Sequence, residues 1–363
     1  MNTQPIRCAV RAVGLLFVGF VFAIPPALAE PVFPGANWEY ETNGLSPETL
    51  HQVDTYIHTL DTTGLMVVKH GRVVYEFGNV TNLSYVASVS KSILSMLYGP
   101  YVASGKIRLD ATLKDLGMSD TGGLLPIEER AKVIDLITAR SGVYHPIEDA
   151  DDPNTPKRGS KEPGTYWFYN LWDFDAADAA FERMTGKDVY DALQDDLATP
   201  IGLQDFKRER QYKVVVPRSQ YPVKHMVLST RDMARLGLLM LRNGHWRDRQ
   251  VIPADWVRRS TSVRTSASEM HAPNLAYGYM WWVCEDTNGP FHGGFMAVGS
   301  FGQFITVLPE LDMVVAHKTV PPGNVDVPKY GRLLGLLTGN KPASADEMTR
   351  WARPPQESPD PPK

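Results

Sequence analysis

Two pairs of apolar, β-branched runs stand near opposite ends of the chain and constrain its fold more than any other feature. The first pair, GLMVVKHGRVVYEFGNV, turns at His70-Gly71, which is a hairpin signal. The second, GQFITVLPELDMVVAHK, turns at 309–312. With helical patterns between them, these runs predict one antiparallel sheet assembled from N- and C-terminal segments. The predicted class is therefore α+β, an α/β sandwich whose sheet is flanked by helices.

Helical signals occupy most of the remaining chain. Ser46 as N-cap and Pro47 at the first helical position begin an amphipathic helix. Further helices are predicted over 86–103, from about Asp175 to Gly186, from Ser229 to 243–244, and within YGRLLGLLTGN. These patterns divide the chain into an α/β lobe (about 45–98 and 271–340) and an inserted, mostly helical lobe (about 99–270), both within one domain over 30–340.

The two termini have compositions of their own. Residues 1–29 carry Arg7 and Arg11, an apolar run and the small-x-small sequence Ala27-Leu28-Ala29, which predict a cleaved signal peptide and a periplasmic or secreted protein. The alternative is a retained membrane anchor, but about a dozen apolar residues are short for a span of about 20. The segment 341–363 is rich in proline and charge and is predicted to be disordered.

Composition excludes several functional classes. With 43% hydrophobic and 21% charged residues, the 363-residue chain is typical of a globular protein. Loss of 1–29 removes two arginines and no acids, so the net charge moves from −4 to −6. No basic patch for nucleic acid is evident. Cys284 alone remains of the two cysteines, which excludes an internal disulfide, and its aromatic surroundings favour a buried thiol.

The stretch SYVASVSKSILSMLYG places Ser88 three residues before Lys91, among apolar residues. On a helix, positions i and i+3 share a face, so the hydroxyl and the amine are predicted to be neighbours. An apolar setting favours the uncharged amine, which can accept a proton from serine. A chain of this length contains roughly one Ser-x-x-Lys by chance, so the spacing alone is weak evidence.

Other chemistries lack their motifs. No paired cysteine or His-x-x-x-His spacing suggests zinc, and no glycine-rich strand-to-helix loop suggests a phosphate site. No Gly-x-Ser-x-Gly elbow suggests an α/β-hydrolase. We therefore expect no metal and no cofactor.

Four segments together resemble the serine β-lactamase-like superfamily, which includes penicillin-binding proteins, class C β-lactamases, esterases and 6-aminohexanoate-dimer hydrolases. SVSK resembles the first family motif, and PGTYWFYNLWDFDAADAAFERMTGK resembles the turn, catalytic tyrosine and helix of the second. LSTRDMARLGLLMLRNGHWRDRQVIPADWV and FGQFITVLPELDMVVAHK are similar to later segments of the non-lactamase branch. The resemblance covers most of residues 45–338.

The resemblance implies an acyl-transfer site between the lobes. Ser88 would be the nucleophile, Lys91 would accept or relay its proton, and Tyr169 would be the partner base and then acid. Which of Lys91 and Tyr169 is the formal base stays open, because their titrations would be coupled. The oxyanion hole would combine the backbone N–H groups of Ser88 and Ser300, and Gly299 would allow close approach of substrate. Without the resemblance, Tyr169 would be assigned to the core.

The chain also departs from the family pattern. Leu171 occupies the position where Tyr-x-Asn requires asparagine, with Asn170 one position early. Lys-Thr-Gly is absent, and the stretches nearest to it by position are His292-Gly293-Gly294 and Ala297-Val298-Gly299. The missing lysine makes β-lactam hydrolysis less favoured, since it would hold the substrate carboxylate. Further candidates for substrate contact, besides Asn170 and Gly299, are Tyr144, His225 and His292.

The predicted function is an exported serine hydrolase that cleaves a small-molecule ester or amide. One alternative is a β-lactamase or D-amino-acid peptidase acting on cell-wall substrates. Another is an inactive binding module that kept the fold. Neither a nucleic-acid partner nor a stable membrane anchor is expected, and the oligomeric state stays open.

Overall fold

The computed structural model of the chain describes Met1 and residues 31–147, 154–271, 275–285 and 289–339. Apart from Met1, the predicted signal peptide lies outside the described residues, as does the predicted tail. The α-helices are α1 Pro47–Ile57, α2 Val89–Ala103, α3 Val133–Ile137, α4 Leu171–Thr185, α5 Val189–Ala192, α6 Thr199–Ile201, α7 Thr230–Leu241, α8 Ala254–Ser260 and α9 Val327–Thr338. The strands are β1 Gly64–Lys69, β2 Arg72–Gly78, β3 Ser84–Tyr85, β4 Tyr212–Val214, β5 Val223–His225, β6 Val227–Leu228, β7 His245–Trp246, β8 Arg249–Gln250, β9 Leu275–Tyr277, β10 Trp282–Cys284, β11 Phe295–Gly299, β12 Gln303–Leu308 and β13 Met313–Lys318.

One seven-stranded sheet joins the two ends of the chain. Its order is β2-β1-β13-β12-β11-β10-β9, and every neighbouring pair is antiparallel. The N-terminal strand β1 pairs along its whole length with the C-terminal strand β13, from Gly64 opposite Lys318 to Lys69 opposite Met313. The prediction of one antiparallel sheet built from both termini is confirmed.

Helices cover both faces of this sheet. Gly237 on α7 sits against Ile305 and Val314, where a β-carbon would lie 2.9 Å and 2.5 Å from their side chains. On the next residue of β12, the Thr306 hydroxyl hydrogen-bonds with the Tyr330 hydroxyl of α9 at 2.7 Å. Because successive strand residues face opposite sides, α7 and α9 lie on opposite faces. The expected flanking helices are therefore present.

The segment between β3 and β9 carries α2 to α8 and contains more helix than strand. It also contains the short strand pairs β4-β5 and β7-β8, while β6 pairs with β3. Two- and three-residue strands are too short to show an alternating pattern, so the sequence did not predict them. Among the described residues, no helix combines the length and hydropathy needed to cross a bilayer.

Helix ends follow side-chain caps. Ser46 accepts from the N–H of Thr49 and Ser229 from that of Asp232, which confirms the predicted starts of α1 and α7. The predicted start of α4 near Asp175 was wrong: the helix begins at Leu171, and Asn170 is its cap. The aromatic run before it concealed an Asx cap, because bulky residues fill the first turn where polar ones are usual.

Candidate active site

Ser88 lies where a short strand passes into a helix. Beside β3, the N–H of Val86 donates to the carbonyl of Met226 at 3.0 Å. Ala87 then has a φ of 48°, in the left-handed region that alanine rarely adopts, and it turns the chain sharply into α2. Ser88 occupies the N-cap of α2, yet its side chain makes no capping hydrogen bond. Its hydroxyl is therefore directed to another partner.

That partner is Lys91. Its Nζ donates to Ser88 Oγ at 2.5 Å, as the i, i+3 spacing on α2 predicts. The amine is half-buried and lies 5.5 Å from the ring centroid of Tyr169 and 5.2 Å from that of Phe174. Aromatic faces thus replace part of the water that would otherwise surround the amine. The arrangement couples a serine hydroxyl directly to a lysine in a partly desolvated setting.

Tyr169 is both a core residue and a neighbour of this pair. Its side chain is 7% exposed, and its ring stacks on Trp282 at 5.8 Å and packs against Phe174 at 4.8 Å. Tyr277 meets it edge-on at 6.2 Å. These contacts fix the ring beside Lys91. Tyr169 is therefore a core aromatic that lies beside Lys91, and its role in proton transfer stays a prediction.

The end of β11 passes against the start of α2. A β-carbon on Gly299 would lie 2.7 Å from Val86 O and 3.1 Å from Ser88 N, so only glycine fits there. Close approach of backbone is thus one reason for this glycine, and the predicted close approach of substrate stays a prediction. Ser300, the other predicted oxyanion donor, follows directly and is half-buried. The backbone of β11 thus lies beside the N–H of the serine.

Two of the predicted contact residues are buried in the fold. Asn170 is buried and its amide is committed to structure: it accepts from Trp172 N at 3.1 Å and donates to Val143 O and to Asp173 Oδ1. Tyr144 is also buried, with its ring edge-on to Phe168 at 5.8 Å. Its hydroxyl has no hydrogen-bond partner among the described residues, and burial raises its pKa.

The two predicted histidines lie in different places. His225 stacks between Tyr85 at 4.4 Å and Tyr212 at 5.0 Å, and Tyr85 precedes Ser88 by three residues. His292 is exposed in the turn before β11, and the structure does not bring it to the serine. Gly299, which contacts Ser88, ends β11, and a strand rises about 3.3 Å per residue away from that turn.

Sequence reasoning missed Lys224 and two acids. Lys224 on β5 is 3% exposed, and its Nζ donates to Phe174 O at 3.3 Å. Asp175 and Asp178 on α4 are likewise buried. The signal was present in YPVKHMVLST, where a lysine stands among apolar residues just as Lys91 does. In the described part of the chain, no group of His, Cys, Asp and Glu is arranged to hold a metal ion.

Comparison with known structures supports the same fold. The chain is similar to a putative 6-aminohexanoate-dimer hydrolase from Bacillus anthracis, with 19% identity, a TM-score of 0.57 and coverage of 73% of this chain and 75% of that one. EstCE1, a hydrolase with promiscuous acyltransferase activity, matches with 15% identity and a TM-score of 0.57, and the match covers 77% of this chain and 94% of that one. A class C beta-lactamase matches with 14% identity and a TM-score of 0.60, and the match covers 83% of this chain and 98% of that one.

Comparison by sequence identifies a family but no curated relative. No curated protein has a sequence that matches this chain significantly. The model of the family described as Beta-lactamase matches residues 53–319, well over half of the chain. That range includes Ser88, Lys91, Tyr169 and the end of β11. The chain therefore belongs to the Beta-lactamase family.

Proposed function

We propose that the protein is a serine hydrolase that cleaves a small-molecule ester or amide through an acyl-enzyme on Ser88. The observation that carries this proposal is the 2.5 Å hydrogen bond between Lys91 Nζ and Ser88 Oγ. A nucleophile within hydrogen-bond reach of a base is the geometry that nucleophilic catalysis requires. The hydrolase names of two structural neighbours, one an aminohexanoate-dimer hydrolase, agree with ester or amide substrates.

The proposed steps use residues already brought together. Lys91, when uncharged, takes the hydroxyl proton as Ser88 Oγ bonds to the substrate carbonyl carbon. The backbone N–H groups of Ser88 and Ser300 stabilise the oxyanion, and the leaving group departs with a proton passed by Lys91 or Tyr169. Water then attacks the acyl carbon by the same route and frees Ser88. No metal or cofactor enters these steps.

A cell-wall peptidase or β-lactamase is the second candidate. The matched class C beta-lactamase is its main support. Against it, β11 carries Ala297 where the β-lactam-binding relatives would have a lysine, and an alanine cannot pair with a substrate carboxylate. An inactive binding module is less favoured still, because a site that had lost its activity would not need the Ser88–Lys91 contact. Export after cleavage of residues 1–29 remains part of this proposal.

Intact-mass measurement tests the proposal. The mature protein and Ser88→Ala are exposed in parallel to short-chain nitrophenyl esters, a chromogenic cephalosporin, a D-Ala-D-Ala peptide and a fluorophosphonate. We expect one covalent adduct with the fluorophosphonate and turnover of the ester, both lost in Ser88→Ala. Faster turnover of the cephalosporin than of the ester would favour the second candidate. Absence of any adduct, with the protein folded, would favour the inactive module.

A further inference from the structure

Two buried or half-buried lysines contact the same aromatic residue. Phe174 receives a hydrogen bond from Lys224 Nζ on its carbonyl, at 3.3 Å, and its ring centroid lies 5.2 Å from Lys91 Nζ. Lys224 comes from β5 and Lys91 from α2, two elements far apart in sequence. Lys224 is 3% exposed, so little water separates it from its neighbours. The two amines therefore influence each other through a poorly screened region.

Acidic groups on α4 face the same region. Asp175 and Asp178 stand one turn apart, both buried, and Lys213 Nζ lies 3.6 Å from Asp178 Oδ2. Burial lowers the pKa of Lys224, the carboxylates of Asp178 and Asp175 raise it, and the neighbouring charge of Lys91 lowers it. Electrostatic influence is mutual, so a charge on Lys224 also opposes a charge on Lys91.

A phenol and an apolar strand also border Lys91. Tyr169 packs beside it, and behind that ring burial raises the pKa of Tyr277 well above its usual range, so this phenol stays uncharged at neutral pH. The strand β11, which packs on α2, consists of apolar residues and contributes no charge. Lys224 and the two aspartates are thus buried charges in the region of Lys91.

We propose that Lys224 is a positioning residue for the Ser88 site: its buried ammonium offsets the carboxylates of Asp175 and Asp178 and thereby keeps Lys91 uncharged. Without it, the two carboxylates would hold a proton on Lys91. A protonated Lys91 could not accept the proton of Ser88 as Oγ bonds to an electrophile. The inference rests on the proposed function, since it concerns the base of that reaction.

The test follows the rate at which a fluorophosphonate labels Ser88 as a function of pH. In this reaction Ser88 Oγ bonds to phosphorus, fluoride leaves, and the serine proton passes to Lys91. We expect Lys224→Met to move the ascending limb of the profile to higher pH by about one unit. This is the change in the pKa of Lys91 expected on removing one unit charge several ångströms away. Labelling would be about tenfold slower below the limb and unchanged above it. Lys224→Arg, which keeps the charge, should leave the limb in place.

Two further variants keep the result interpretable. Lys224→Gln retains a donor for Phe174 O but loses the charge, so it should shift the limb as Lys224→Met does even if the methionine variant fails to fold. Lys213→Gln is the matched control: this lysine pairs with Asp178, Glu182 and Asp188, and it is the other cation of the same acidic cluster. Its removal should shift the limb by less than a third as much.

The outcomes separate the two proposals. A wild-type protein that is folded but never labelled on Ser88 would overturn the proposed function and this inference with it. A labelled wild type with an unmoved limb in Lys224→Gln would overturn only the role of Lys224. An equal shift in Lys213→Gln would also overturn it, because the effect would then follow overall charge rather than position.

Discussion

Lys91 and Lys318 are both lysines in apolar surroundings, but their partners differ. Lys318, at the end of β13, is 2% exposed, and its Nζ donates to Ser84 O at 3.2 Å and to Leu228 O. Those two residues pair with each other across β3 and β6. Lys91 instead donates to a hydroxyl. One amine joins backbone segments and the other meets a group that can lose a proton.

Burial alone does not make a lysine catalytic. Burial lowers the pKa of Lys318 to about 7. A carbonyl oxygen can accept a hydrogen bond but has no proton to give, so the uncharged Lys318 amine has nothing to activate. We therefore expect changes at Lys91 to alter rate and changes at the end of β13 to alter stability. Lys224 stands between these cases, since it bonds a carbonyl yet lies close enough to act on Lys91 by charge.

The largest expected effect is on rate, at Lys91. Lys91→Met keeps the apolar contacts with Phe174 and Tyr169 but removes the base, so labelling of Ser88 by a fluorophosphonate should slow by about 1,000-fold, equivalent to about 4 kcal/mol. The free energy of unfolding in urea should change by less than about 1 kcal/mol. Labelling at an unchanged rate would show that Lys91 is another structural lysine, and the contrast would disappear.

The next effect is on stability, at His317. Its Nδ1 bonds Gly302 O and its Nε2 bonds Thr62 Oγ1, each at 2.8 Å, and burial lowers its pKa to about 4. The unfolded chain binds this proton from about pH 6.5 downward, so stability falls as pH drops from 6.5 to 4, by about 3 kcal/mol. Urea unfolding of His317→Gln at pH 7 and pH 4 should lack this component. If the free energy of unfolding depended on pH in the same way in the wild type and in His317→Gln, the assignment would be contradicted. Labelling of Ser88 by a fluorophosphonate at pH 7 serves as the control.

The smallest effect is expected at Lys318. At pH 9 the folded amine is uncharged, and Lys318→Met leaves Ser84 O and Leu228 O without their donor, which should lower the free energy of unfolding by about 2 kcal/mol. The deficit should disappear at pH 6. The unfolded lysine holds its proton up to about pH 10.5 and the folded one releases it above about 7, so wild-type stability falls between these values as pH decreases.

Labelling separates the two lysines in the same experiment. Ser88 in folded Lys318→Met should react within about threefold of the wild-type rate, because Ala87 and the start of α2 remain held by Val86 N–H bonding to Met226 O. A loss of rate as large as that of Lys91→Met, without a loss of stability, would reverse the assignment of the two lysines.

Local signals in the sequence predicted what depends on neighbours along the chain. Alternating and β-branched runs identified β1, β2, β12 and β13, and caps at Ser46 and Ser229 located two helix starts. The Ser88–Lys91 pair followed from the same logic, since three residues on a helix are a fixed separation. Asn170 shows the limit of such reasoning: one residue served equally well as a motif position or a helix cap.

Patterns along the chain are enough to predict a sheet built from both ends and a lysine beside a serine on one helix face. Which other groups join this pair depends on the tertiary structure. It brought Phe174, Lys224 and Gly299 to the pair from three separate elements and left His292 at the far end of β11. The physical reason is that hydrogen bonds and periodicity act between near residues. Burial, charge coupling and close backbone approach depend on packing between elements that the sequence does not order in space.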